Sequence, residues 1–105
     1  VSAAWVGTSP DTTFMAVAAD PAVAPVSVAG FSVFGLGVDG LVLHEGVFGE
    51  SGWRVSDAVT GCALARRPEE SKQAALSVVV AFKDLIRAEI DGRRKAVLAA
   101  RGVPA

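Results

Sequence analysis

With 105 residues, 51% of them apolar and 20% charged, and a net charge of −1, the chain has the apolar content of a folded domain and not the charge excess of a disordered one. Near-neutral charge also argues against a general nucleic-acid or acidic-membrane binder, which needs a broad positive field. The lone Cys62 cannot form an internal disulfide, which favours a reducing, cytoplasmic setting. One domain over residues 1–105 is expected. The chain opens at Val1 rather than at a methionine, which leaves room for an upstream piece, and it carries no signal-peptide pattern. Residues 21–38 are uncharged but only marginally long enough to span a bilayer, and Pro25, Gly30, Gly35 and Gly37 interrupt them, so no membrane span is expected.

Residues 12–19 (TTFMAVAA) read as a short strand that ends at Asp20-Pro21. Proline punctuation makes 20–25 a turn. Residues 26–38 are a long strand candidate with a bend or bulge at Ala29-Gly30. Asp39-Gly40 is a strong two-residue hairpin signal, because both positions reach positive φ readily. Strands follow at 41–48, 53–56 and 62–66, with turns at 49–52 and 57–61. With Asp39-Gly40 as the loop, Val38 faces Leu41 and Leu36 faces Leu43. That register puts Phe34, Leu36, Val38, Leu41 and Leu43 on a core face. The opposite face carries Phe31, Val33, Gly35, Gly37, Val42, His44 and Phe48, and its glycines make it the easier side to approach.

From Pro68 the pattern changes to a helix over 68–101. Pro68 suits a first helical turn, and Glu69 and Glu70 suit the positive end of the dipole. Ala75, Val78, Val79, Phe82, Leu85, Ile86 and Ile90 recur at spacings of three and four, a wide apolar stripe with Phe82 at its centre. Gly92 is the expected end or kink. The predicted class is therefore α+β: an antiparallel meander of about five strands (12–66) covered on one face by a long C-terminal helix (68–101).

Candidate chemistry is sparse. The run from Gly35 to Gly40 matches G-x-G-x-x-G, but strand-forming residues follow it where a nucleotide site needs a helix. His44 and Glu45 are strand neighbours on opposite faces, so His44 is expected as a sheet-surface residue opposite Gly35. Cys62 reads as a small hydrophobe in a strand. One histidine and one cysteine are too few for a zinc site, and the aspartates lack calcium-loop spacing. No catalytic residue, metal or cofactor is expected. Trp53 reads as cover for the sheet edge and Trp5 as an exposed anchor. Arg66-Arg67 and Arg93-Arg94-Lys95 are the basic clusters, with a solvated helix end as the simpler role for the second. Leu76 and Val80 lie on a second helix flank, as a homodimer contact or as cover under the segment containing Trp5.

Trp53-Arg54-Val55, Thr60-Gly61-Cys62-Ala63 and Ala74-Ala75 together resemble a hairpin–helix pattern common in small phage and plasmid accessory proteins. Anti-CRISPR inhibitors and domains of polyvalent mobile-element proteins are among them. The resemblance covers about residues 52–82 and implies a protein that binds and blocks a partner, with no catalytic residues. The expected function is thus non-enzymatic binding of a protein partner, with Trp5, Leu76, Val80, Arg66, Arg67, Arg93 and Arg94 as contact candidates. Two alternatives stand beside it: a small nucleic-acid-binding domain using the arginine clusters, and a small enzyme or ligand-binding subunit with its site on the glycine-lined sheet face.

Overall fold

The computed structural model describes residues 7–18, 20, 22–65 and 67–102; Trp5 and Arg66, two of the candidate contact residues, lie outside them. Five strands form one antiparallel sheet in chain order: β1 (Gly7–Ala16), β2 (Val26–Phe34), β3 (Leu41–Glu45), β4 (Trp53–Asp57) and β5 (Cys62–Ala63). Two helices follow, α1 (Lys72–Ala81) and α2 (Lys83–Ala100), and α1 packs on the sheet. The α+β class and the meander are as the sequence predicts. No helix among the described residues is long and apolar enough to cross a membrane.

The register of the central hairpin differs from the expected one. Leu41 pairs with Val33 rather than Val38, and Leu43 with Phe31. This slip is odd-numbered, so it turns β2 over: Phe31 and Val33 join Leu41 and Leu43 under the helices, and Phe34 is exposed. The cause lies in 35–40. Gly35, Gly37 and Gly40 all have positive φ (96°, 78° and 85°), so the chain leaves the ladder at Phe34 and winds through a broad loop instead of a two-residue turn. Leu36 drops from that loop into the core and is fully buried.

Other boundaries shift in the same physical sense. β1 begins at Gly7, well before Thr12, and its bulge falls between Ser9 and Thr12, where Asp11 has φ 66°, not on β2 at Ala29-Gly30. β3 ends at Glu45 and β5 is only two residues long. Pro68 is outside the helix. Glu69 instead makes an isolated antiparallel bridge with Trp53, each backbone N–H donating to the other's carbonyl at 2.7 Å. α1 then starts behind Ser71, whose side chain accepts from the Ala74 N–H at 3.1 Å.

The expected kink moves from Gly92 to Phe82. Gly92 sits inside a continuous α2, whereas Phe82 (φ −106°, ψ 17°) separates the two helices. Three consecutive β-branched residues, Val78 to Val80, precede the break and weaken the helix there. Of the apolar stripe, Ala75, Val79 and Ile90 are buried, Val78 and Ile86 half-buried, and Phe82 and Leu85 exposed.

Both faces of the sheet carry a core. Under the helices lie Val33, Leu36, Leu41, Leu43, Val55, Ala75, Val79 and Ile90. The other face gathers Phe14, Ala16 and Val42, with Val28, Val47 and Ala58 packed against them. This second core exists because the sheet curls: the Val17 N–H donates to the Gly61 carbonyl at 2.8 Å, which joins the end of β1 to the β4–β5 turn.

Candidate functional site

Two concave regions flank β5. The first is an apolar groove of about 330 Å³ between α2 and the β4–β5 side of the sheet. Val55 and Leu64 supply its sheet wall, and Val78, Leu85, Ile86 and Ile90 its helix wall. Phe82 and Leu85, at 56% and 54% exposure, are apolar side chains in water at the point where the helix bends.

The groove is open because α2 is attached by arginines rather than by a continuous apolar stripe. Arg87, Arg94 and Arg101 recur every seven residues and so share one face. Arg87 Nε donates to the Leu36 carbonyl, and Arg101 donates to the Thr60 carbonyl at 2.7 Å. Arg94 makes the strongest clasp, donating to Asp57 through Nε (3.1 and 3.2 Å) and through its terminal nitrogen (3.0 Å). That nitrogen also reaches the Asp39 carbonyl at 2.6 Å. Asp57 is buried, and accepts in addition from the Val59 N–H at 3.0 Å and the Thr60 hydroxyl at 3.3 Å.

This geometry divides the predicted basic cluster. Arg94 is turned inward, while Arg93 is exposed on the groove rim, where its guanidinium approaches the Ala63 carbonyl at 3.5 Å. Arg67 is exposed on the same rim, with Glu69 and Glu89 beside the groove. Leu76 and Val80 pack, half-buried, against the main core. The structure therefore brings Arg67 and Arg93 to one groove and places Arg94, Leu76 and Val80 elsewhere. The sequence gives little hint of Leu85 and Phe82 as surface residues, since both fit the core stripe; the seven-residue arginine spacing was the available signal that α2 stands off.

The second region is an open cleft of about 770 Å³ bordered by Ala16, Val47, Phe48, Ser56 and Cys62, with His44 in its lining. His44 is a correction: it is 2% exposed rather than on the sheet surface, because the second core closes over its face, with the Phe14 ring 5.0 Å away, and it stands opposite Gly30 rather than Gly35. A side chain at residue 30 would collide with the Leu43 carbonyl and Val42. His44 Nδ1 lies 2.6 Å from the Glu45 carbonyl, which can only accept, so Nδ1 carries the proton. Nε2 then accepts from the Ser56 hydroxyl at 2.7 Å. Burial lowers the His44 pKa below its ordinary value, with the Arg54 charge adding to the effect and the Glu45 carbonyl opposing it. The imidazole is neutral at pH 7. Ser56 is equally buried, and the imidazole is oriented by a backbone carbonyl, so the pair satisfies itself within the second core.

Among the described residues no group of three or more His, Cys, Asp or Glu side chains is placed to hold a metal ion. Comparison with protein-family models, curated proteins and solved structures gives no match.

Proposed function

We propose that this chain is a non-enzymatic protein-binding module that docks a partner in the α2–β5 groove. The observation that carries this is the exposure of Phe82 and Leu85 beside a preformed apolar groove. Solvated aromatic and aliphatic side chains next to a concave apolar surface are what a contact site presents and a finished core does not. Resemblance of the hairpin–helix run to phage and plasmid accessory proteins supports the same role, that of a cytoplasmic inhibitor or accessory factor of a mobile element. A homodimer through Leu76 and Val80 has less to offer, because both already lean on the core. Nucleic-acid binding is weakened likewise, since Arg94 is committed to Asp57.

The test compares the wild-type chain with Leu85→Glu in pull-downs from host extract followed by mass spectrometry. A protein retained by wild type, lost with Leu85→Glu and bound again after purification supports groove docking. An identical set on both baits means the partner binds elsewhere.

A second reading is favoured by the cleft at His44: a small-ligand or hydrolytic site in which Ser56 is the nucleophile and His44 its base. Covalent labelling by a fluorophosphonate that disappears in Ser56→Ala would establish it, and absence of labelling in the folded wild type removes it.

A further inference from the structure

On the face away from the groove, we propose that the end of the β1–β2 hairpin is a flap over His44 that opens in acid. Two stretches form it, residues 12–16 of β1 and 26–30 of β2, paired with each other. Among the described residues β2 is laddered to β3 only from Phe31 to Val33, so these two stretches run on as a ribbon of two strands. Such a ribbon is marginal in water and depends on what it lies against. Its turning point shows in both strands. The bulge between Ser9 and Thr12, with Asp11 at φ 66°, stands beside Gly30, which pairs with Thr12. Gly30 lets the ribbon cross close over Leu43 and His44 of β3.

The flap is held by little. Its seat is the small second core, where Phe14 and Ala16 meet Val42 and the Phe14 ring lies 5.0 Å from that of His44. A backbone hydrogen bond pins its tip, from the Val17 N–H to the Gly61 carbonyl at 2.8 Å. The receiving turn is firm, because the Gly61 N–H donates to the Asp57 carbonyl at 2.7 Å and Arg94 clasps the Asp57 side chain. Closure also demands glycine at 61, where φ is 77° and a Cβ would collide with the Met15 carbonyl oxygen.

Closed, the flap keeps the imidazole dry and neutral, with Nδ1–H donating to the Glu45 carbonyl and Nε2 accepting from Ser56. A second proton makes Nε2 a donor, so the Ser56 oxygen must accept from it and turn its own proton elsewhere. Burial opposes the new charge first of all; the Glu45 carbonyl favours it, Arg54 on β4 repels it and Glu50 attracts it. Arg93 of α2 and Cys62 of β5 line the same cleft. The two flap stretches contain no charged residue that could neutralise the ring. Water can solvate it, and lifting the flap admits water.

Amide hydrogen exchange, read residue by residue by NMR from pH 8 to 4, tests this. With the flap open the hydrated ring binds its proton at the ordinary value of 6.5, so acid favours the open form. Protection of the Val17 amide should therefore fall below that pH, by at most about tenfold per pH unit for one proton taken up on opening. The fall should level off at the midpoint of the His44 ring titration, which is read without overlap because the chain has one histidine. At every pH Val17 should stay at least about tenfold less protected than Leu43 in β3, since the flap opens without the rest of the fold. His44→Gln should hold Val17 at one level throughout. Gly61→Ala should leave Val17 unprotected at every pH while Leu43 stays protected. Equal protection of Val17 and Leu43 means that the whole fold opens, and overturns the proposal. Val17 protection that does not vary with pH, or that still falls in His44→Gln, overturns it too. So does a fall that runs on below the wild-type His44 midpoint, a criterion that needs no variant to fold.

Discussion

α1 buries Ala75 and Val79 and leans Leu76 and Val80 on the same core, whereas the longer α2 buries Ile90 and reaches the sheet through Arg87, Arg94 and Arg101. Apolar packing pulls α1 to van der Waals distance from β4. Guanidinium side chains are long and rigid at the tip, so they can tie α2 to loop carbonyls and to Asp57 without close backbone packing. The space left under that helix is the groove. The same sheet therefore carries one helix that completes its core and one that enters it only at Ile86 and Ile90.

The largest expected effect comes from releasing α2. Arg94→Met should cost about 3–5 kcal/mol, because it strands the buried Asp57 carboxylate without its counter-charge. Urea denaturation followed by circular dichroism measures this, and an unchanged midpoint would mean that α2 is held by something else. Arg94→Met combined with Asp57→Asn should recover part of the loss, since a neutral amide needs no counter-charge and its oxygen can still accept from the Val59 N–H or the Thr60 hydroxyl.

Next in size is α1. Val79→Ala should cost about 2 kcal/mol by loss of buried apolar surface, with little dependence on salt. If added salt alters this loss as much as that of Arg94→Met, the division between the two helices is mistaken.

The third expectation concerns the opposite face of the sheet, remote from both helices. His44 holds its proton less tightly in the fold than in the unfolded chain, where the ordinary value is 6.5. Below that pH the unfolded chain takes up a proton that the native one refuses, so stability falls with acid and the fall levels off once pH drops beneath the lowered folded value. His44→Gln should remove this slope between wild-type-like plateaus, in denaturant titrations repeated from pH 8 to 5. A slope unchanged by the substitution would locate the acid sensitivity in the carboxylates.

The smallest effect is expected at Phe82. Being exposed, Phe82→Ala should change stability by no more than about 0.5 kcal/mol, far less than removal of a core aromatic. The same substitution should weaken partner binding, which separates a surface role from a structural one.

The sheet and α1 were legible because their signals are local: Trp53-Arg54-Val55 after Gly52, and Ala75 with Val79 one turn on. The hairpin register was not. Asp39-Gly40 is a valid turn signal, but Gly35 and Gly37 also take positive φ, and no local rule says which glycine the strand stops at. His44 does lie on the face its alternation gives, but the curl that lays Phe14 5.0 Å from its ring joins elements far apart in sequence, and that hid its burial and its pairing with Ser56. Arg94 looked like a solvated charge because its carboxylate partner is far away in sequence, at Asp57. Phe82 matched the apolar period and was placed in the core, since periodicity assumes a straight helix and this one bends there. The groove was invisible for the same reason: it depends on the distance between two elements, which a repeat along one of them does not encode.

The loop 35–40 has a consequence for the chain while it is being made. Its backbone is tied down by Arg87 at Leu36 and by Arg94 at Asp39, partners 51 and 55 residues further along. A ribosome emits the sheet before these arginines. Until α2 emerges, the strands can pair, but the loop that carries Leu36 has no anchor, and Asp57 has no cation. Nascent chains halted before Arg87 should therefore show an ordered hairpin with an open, protease-sensitive connection, which closes only when α2 leaves the exit tunnel.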